Sequence, residues 1–232
     1  MPLFYAPYIA ENPVLPEEES EHAIRVLRLN EGDEIRITDG KGSFFRAIIT
    51  RAHPKRCEVD VIESGLQTPL WPFQIHIAIA PTKQIDRMEW FAEKATEVGI
   101  NAITFLNCRY SERSNINTVR FQKILISAMK QSQKTLLPQL TGMTAFQDFI
   151  SKPFNGSKFI AHCEEGEKPL LKQIYPVGQD ALILIGPEGD FSMEEISLAI
   201  EHGFQPVTLG QSRLRTETAA LVALHTIQMI SG

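Results

Sequence analysis

Leu182-Ile183-Leu184-Ile185-Gly186-Pro187-Glu188-Gly189-Asp190-Phe191-Ser192 decides how this chain reads. Four consecutive apolar residues leave no polar face, as in a parallel strand buried on both sides. Gly186-x-x-Gly189 makes a loop, and Ser192 with Glu195 three residues on forms a capping box that opens a helix. Strand, loop and helix in that order are the unit of an open α/β sheet, whose ligands bind outside the carboxyl ends of its strands. The spacing is not GxGxxG, and no Gly-Lys-Ser/Thr follows, so dinucleotide and Walker loops are excluded. From these residues alone the loop is either a tight turn or a cradle where backbone groups approach a ligand closely.

A second stretch repeats the pattern: Leu209-Gly210-Gln211-Ser212-Arg213-Leu214-Arg215-Thr216-Glu217-Thr218-Ala219-Ala220. Thr216 suits an N-cap and Glu217 the first turn. Arg213 and Arg215 precede the positive helix end, where they do nothing for the helix. They form either an exposed basic loop or a functional pair.

Outward from these loops, Phe73–Ala80, Ala102–Leu106, Lys158–His162, Ala181–Ile185 and Pro206–Leu209 read as strands. Helices are expected from Ile85 to Gly99, around Phe121–Met129, and over Met193–His202 and Thr216–Ile230. This βαβ rhythm predicts a mostly parallel α/β domain over 73–232. Residues 1–68 read differently. A helix is expected within 14–30, followed by strands Glu34–Thr38, Phe44–Ala52 and Cys57–Ile62, with Asp39-Gly40-Lys41-Gly42 as a hairpin turn. That predicts a small antiparallel sheet or barrel, and the Gly- and Pro-containing segment 64–72 reads as the linker.

The net charge of −5 argues against nucleic acid as a partner, but its distribution argues for it. Residues 36–56 hold six bases and one acid, and 109–134 again six bases and one acid, while 164–201 hold nine acids. Two basic patches can dock on a phosphate backbone; the alternative is two solvated faces. Cys57, Cys108 and Cys163 are far apart and form no CxxC, which suits thiols in a reducing cytoplasm. No apolar run approaches a membrane span, and the start lacks the pattern of a signal peptide.

The paired loops Gly186-Pro187-Glu188-Gly189 and Leu209-Gly210-x-x-Arg213-Leu214-Arg215-Thr216-Glu217-Thr218-Ala219 closely resemble the RsmE family, bacterial small-subunit ribosomal RNA uridine-N3 methyltransferases of the SPOUT superfamily. His22-x-x-x-Val26-Leu27-Arg28, Lys94-Ala95-Thr96-Glu97-Val98-Gly99 and Gln131-Ser132 with Pro138 resemble its other motifs, so the likeness spans nearly the whole chain. Asp190 stands where the family usually has a second glycine, Lys130 where it favours an acid, Lys134 where it favours Arg, and Leu3 where Arg is common.

The resemblance implies a SPOUT-type parallel sheet with a carboxyl-terminal trefoil knot, preceded by a PUA-like RNA-binding β-barrel. It implies S-adenosylmethionine as cofactor, 16S ribosomal RNA within the small subunit as substrate, a homodimer, no metal and no membrane. Backbone at Gly186, Gly189 and Gly210 would hold the cofactor, with Leu184, Ile185, Pro187, Leu209 and Leu214 as apolar walls. Glu188, His162, Arg213 and Thr218 complete that set. Arg215 is the first choice to stabilise charge on the uracil carbonyls, with Arg213 second; Glu217 or Glu188 would take the N3 proton. Arg25, Arg28, Arg36, Lys41, Arg46, Arg51, Arg113 and Lys134 are the expected RNA contacts. Two other readings stand beside this one: a non-catalytic ribosome assembly factor on the same fold, and a small-molecule enzyme binding phosphate at Ser192.

Overall fold

The computed structural model describes residues 1–69 and 71–231. Leu70, inside the expected linker, and Gly232 lie outside the described residues. The chain forms two compact units, Met1–Leu70 with Ile126–Leu137, and Trp71–Leu125 with Pro138–Gly232. The stretch 126–137, which sequence reading places in the carboxyl domain, therefore belongs to the amino-terminal unit. Strand pairing also shortens the linker, because Ser64, Gly65 and Leu66 are the end of a strand.

The amino-terminal unit is a four-stranded sheet in the order β1 (Leu3–Tyr5), β2 (Glu34–Thr38), β3 (Ser43–Arg51), β4 (Glu58–Leu66). The hairpin forms as expected: Asp39 Oδ1 accepts from the Lys41 and Ser43 amides at 2.7 and 3.1 Å, holding the turn. Alternation buries Ile35, Ile37, Phe45, Ala47 and Ile49 on one face, where Phe4, Ile9, Leu15 and Cys57 join them. Among the described residues no strand pairing joins β4 to β1 directly. The outer edge of β4 is covered instead by the segment at Pro13–Leu15, with Val59 N donating to Pro13 O at 3.0 Å and Leu15 N to Cys57 O at 2.9 Å. The expected helix in 14–30 is shorter, α1 (Glu17–Glu21) running into a π-helical turn at His22–Val26.

The carboxyl-terminal unit carries six parallel strands: β5 (Ile75–Ile79), β6 (Ala102–Asn107), β7 (Gln139–Ala145), β8 (Ser157–Ala161), β9 (Ala181–Ile185) and β10 (Gln205–Val207). Their order across the sheet is β10-β8-β9-β5-β6-β7. All five residues of β9 are buried, as its apolar run requires. Leu182 and Leu184 pack with Phe146, Phe149, Phe191 and Ile196, from α4 (Phe146–Ile150), α6 (Met193–Glu201) and the loop before α6. The opposite face takes α2 (Ile85–Val98) and α7 (Thr216–Ser231), with Met88, Phe91, Ala220 and Leu224 buried. Helix α3 (Thr118–Gln131) follows β6, and the short α5 (Leu171–Ile174) follows β8. No helix among the described residues is long and apolar enough to cross a membrane.

Candidate active site

Parallel register sets one straight row of strand ends. Val207 of β10 pairs with Ala161 of β8, Ala161 with Ile185 of β9, and Ile185 with Ile79 of β5. Four loops therefore leave one edge side by side: 80–84, 162–170, 186–192 and 208–215.

Hydrogen bonds stitch these loops together. Ala80 N donates to Ile185 O at 3.0 Å, and Lys83 N to Glu188 Oε1 at 2.9 Å. Cys163 N donates to Asp190 Oδ2 at 2.6 Å, and Phe191 N to Asp190 Oδ1 at 2.8 Å. Thr208 N donates to Pro169 O at 2.9 Å, and Thr208 Oγ1 to Gly210 O at 3.0 Å. The local geometry accounts for an Asp at position 190. Its φ of +64° is the left-handed conformation glycine favours and Asp tolerates, and its carboxylate satisfies two amides that a glycine would leave open.

Leu184, Ile185, Gly186 and Pro187 are buried beneath this edge, Leu209 and Leu214 are half-buried, and Gly189 is exposed. A methyl group added at Gly186 would meet the Phe191 ring at 3.1 Å, and one at Gly189 would meet Tyr110 at 3.2 Å. Gly210 sits at φ +146° with open space beside its Cα, so its backbone conformation requires glycine whether or not a ligand approaches.

His162, one residue beyond β8, is half-buried, yet neither ring nitrogen has a partner and both are inaccessible. Burial, and after it the charge of Lys168, hold its pKa below the ordinary histidine value. A buried polar group without a partner is costly and marks a site that something else completes. The Arg213 charge is felt at the neighbouring Cys163.

Arg215, Glu217 and Thr218 gather at a cavity of about 300 Å³ with Asp86, Arg87 and Trp90 from the start of α2. Glu217 is 6% exposed; its Oε1 lies 3.9 Å from Arg87 Nε, and its Oε2 is buried without a partner. Glu188, by contrast, is exposed and spends its carboxylate on the Lys83 amide. A larger cavity of about 530 Å³ opens among Asn107, Arg109, Tyr110, Phe146, Gln147, Ser192 and Glu195, at the end of the 186–192 loop. Ser192 and Glu195 form the expected capping box there, and Glu195 Oε1 also accepts from Arg109 N at 2.8 Å. Glu194 and Glu195 put two acids at this helix start, which disfavours a phosphate.

Arg113 is placed differently from its expected RNA role: its guanidinium donates to Lys83 O at 2.7 Å and Thr82 O at 3.3 Å, holding the loop after β5. The other expected RNA contacts lie in the amino-terminal unit. Arg25 is exposed and pairs with Glu21 at 2.6 Å. Arg28 is exposed at φ +57°, and Arg36 donates to Gln133 Oε1 at 3.2 Å. Lys41 Nζ sits 5.8 Å from the centre of the Tyr8 ring, and Lys134 follows the end of α3. Arg46 bridges Glu34 at 2.7 Å and Glu63 at 3.1 Å, and Arg51 pairs with Glu58 at 3.4 Å. Counting charge along the chain misses these acids, because strand pairing brings them from outside 36–56. Among the described residues no group of His, Cys, Asp and Glu is arranged to hold a metal.

Residues 69–228 match the family described as RNA methyltransferase domain, and residues 15–62 match the RNA methyltransferase PUA domain. The Ribosomal RNA small subunit methyltransferase E of Synechocystis is 33% identical over 214 residues, which cover 89% of this chain and 69% of that protein. The chain belongs to the RsmE family of RNA methyltransferases. Among solved structures, a "probable rRNA-methyltransferase" from Porphyromonas gingivalis is 46% identical with a TM-score of 0.95, covering 100% of this chain and 98% of that one. The RsmE of Neisseria gonorrhoeae, solved bound to S-adenosyl methionine, is 28% identical with a TM-score of 0.87, covering 99% and 98%. Within the RsmE-family frame, Asp86, Arg87 and Trp90 are cavity residues that the sequence reading did not single out. The available signal was an arginine and a tryptophan three positions apart in the first turns of a helix that follows a buried strand.

Proposed function

We propose that this chain transfers a methyl group from S-adenosylmethionine to N3 of one uridine in 16S ribosomal RNA. The observation that carries the reading is the row of strand ends, which places the two glycine loops and the unpartnered His162 on one edge. The residues present fit the cofactor. His162 carries two ring nitrogens without a partner, and Gly189 and Gly210 are exposed on the two loops. Half-buried Leu209 and Leu214 give the edge apolar surface, with Leu184, Ile185, Gly186 and Pro187 buried beneath it. Arg213 and Thr218 stay with this set.

When bound, S-adenosylmethionine supplies a methyl group on an already activated sulfonium. The rest falls to the protein. Uracil N3 carries a proton at neutral pH, so the N3–H bond must break as the new N3–C bond forms and the methyl–sulfur bond breaks. Glu217 takes that proton, because it has a buried carboxylate oxygen with nothing bound to it. Glu188 is the weaker choice, its carboxylate being committed to Lys83. The negative charge left on O2 and O4 is met by Arg215, whose guanidinium stays charged and grips planar acceptors.

Arg25, Arg28, Arg36, Lys41, Arg46, Arg51 and Lys134 supply phosphate contacts in this reading, and Arg113 leaves that set for its structural role. The reading includes a homodimer as the working unit and a trefoil knot in the carboxyl-terminal unit. Support for the knot is the path of the last helix, which leaves edge strand β10 yet packs on α2, α5, β5 and β9. The test is transfer of labelled methyl from the cofactor to 16S RNA, naked and in small subunits. In single-turnover reactions, Arg215→Ala should slow transfer about 100-fold or more at saturating RNA and cofactor. Absence of transfer by wild-type protein to either substrate overturns the reading.

A further inference from the structure

The cavity between the start of α2 and the start of α7 holds more than the two residues the proposed reaction uses. Its lining is Asp86, Arg87, Trp90, Arg215, Glu217 and Thr218. Trp90 is 43% exposed on this wall although its neighbours Met88, Phe91 and Ala92 are fully buried. An indole has a large apolar face, and leaving it open beside a cavity forgoes contact that a flat partner would restore. Glu217 is the second, independent observation: it is 6% exposed and lines the cavity, and its Oε2 is buried with no donor.

Charge narrows the partner. Asp86 and Glu217 bring two negative charges and Arg87 and Arg215 two positive ones. The lining is neutral overall, which suits an uncharged ring and not a phosphate. The complement of one carboxylate beside two guanidiniums is a planar ring with an N–H donor flanked by carbonyl acceptors. Uracil presents that edge, with N3–H between O2 and O4. Cytosine does not, because its N3 is an unprotonated acceptor that would face the carboxylate lone pairs.

We propose that this cavity is the pocket for a uracil turned out of the RNA, stacked on Trp90, with Arg87 steadying Glu217 against N3–H and Arg215 at a carbonyl oxygen. Enzymes that act on a base inside folded nucleic acid take it out of the stack and hold it between aromatic and polar groups. The proposal rests on the methyltransferase reading above and adds Trp90 as a substrate-contact residue and Arg87 as a positioning residue.

The experiment is single-turnover methylation of 16S RNA against RNA concentration, with wild type, Trp90→Ala and Trp90→Phe. Cofactor affinity by calorimetry, molecular mass by light scattering and thermal unfolding are followed in parallel. Trp90→Ala should lower kcat/KM for RNA by about 10-fold or more, the loss expected for one stacked base. Trp90→Phe should restore most of it, while cofactor affinity, mass and unfolding stay at wild-type values. Arg87→Lys should keep its charge yet slow the step at saturating RNA, since the ammonium lacks the fork that orients a carboxylate. Unchanged kcat/KM in Trp90→Ala overturns the pocket and leaves the methyltransferase reading standing. Loss of activity accompanied by a fall in mass overturns it also, because Trp90 would then serve contact with a second copy. If wild type transfers no methyl group, the underlying reading and the pocket fall together.

Discussion

His162 is the residue where stability and function come apart. Its ring buries two nitrogens that find no partner in the protein, so folding gains nothing from their polarity. Replacing it by Phe should leave stability unchanged or raise it, since an unsatisfied polar group is removed. The same change should weaken S-adenosylmethionine binding about 10-fold, the worth of one lost hydrogen bond near 1.4 kcal/mol. Denaturant titration and calorimetry on the same two proteins check both halves. His76 behaves in the opposite way. Burial lowers its pKa from 6.5 to about 4, while its Nε2 lies 2.9 Å from Thr104 Oγ1 and its ring meets Phe149 edge-on. A folded-state pKa below the unfolded one means that the unfolded chain takes the proton first. The neutral ring's contribution is therefore complete above about pH 6.5 and is lost as pH falls towards about 4. At 1.36 kcal/mol per pH unit the loss is about 3 kcal/mol in all. Urea unfolding at pH 7 and pH 5 should show the wild type weakening more than His76→Phe.

At the scale of elements, β3 illustrates what a linear reading leaves out. Arg46 and Arg51 stand in a run of bases along the chain, but the register of β3 with β2 and β4 sets them against Glu34, Glu63 and Glu58. Reversing Arg46 to Glu would put three carboxylates together, so neutral substitution is the cleaner probe. Arg46→Gln with Arg51→Gln should weaken RNA binding, lower the salt slope by about 0.7–0.9 per lost phosphate contact, and leave cofactor affinity unchanged. A slope equal to wild type would show that these pairs are only a solvated face. Strands and helices with strong apolar runs were legible: β5, β6, β9, α2 and α7 lie within a few residues of where periodicity puts them. β7 was not, because Gln139–Ala145 is a half-exposed edge strand of mixed polarity with Gly142 inside it. α4 and α5, at five and four residues, are too short for a 3.6-residue period to appear.

For the whole molecule, the loops at 186–192 and 208–215 were legible as loops because glycine, proline and charged residues interrupt buried strands in a recognisable way. Their convergence was not, since it depends on the strand order β10-β8-β9-β5, which brings residues near 80, 162, 186 and 208 to one edge. Trp90 and Arg87 escaped for the same reason, their partners lying some 130 positions away on α7. The placement of 126–137 in the amino-terminal unit likewise has no local signal: Thr135 Oγ1 donates to Gln67 Oε1 at 2.8 Å, and Lys130 pairs with Glu19 at 2.6 Å. The proposed reaction is methylation of N3 of one uridine in 16S ribosomal RNA. Nucleoside mass spectrometry of ribosomal RNA from cells with and without the gene tests it most directly. Loss of a single N3-methyluridine from small-subunit RNA, restored by the wild-type gene and not by the Arg215→Ala form, is the predicted result. An unchanged set of modified nucleosides, or loss of a methyl group from any other base position, would contradict it.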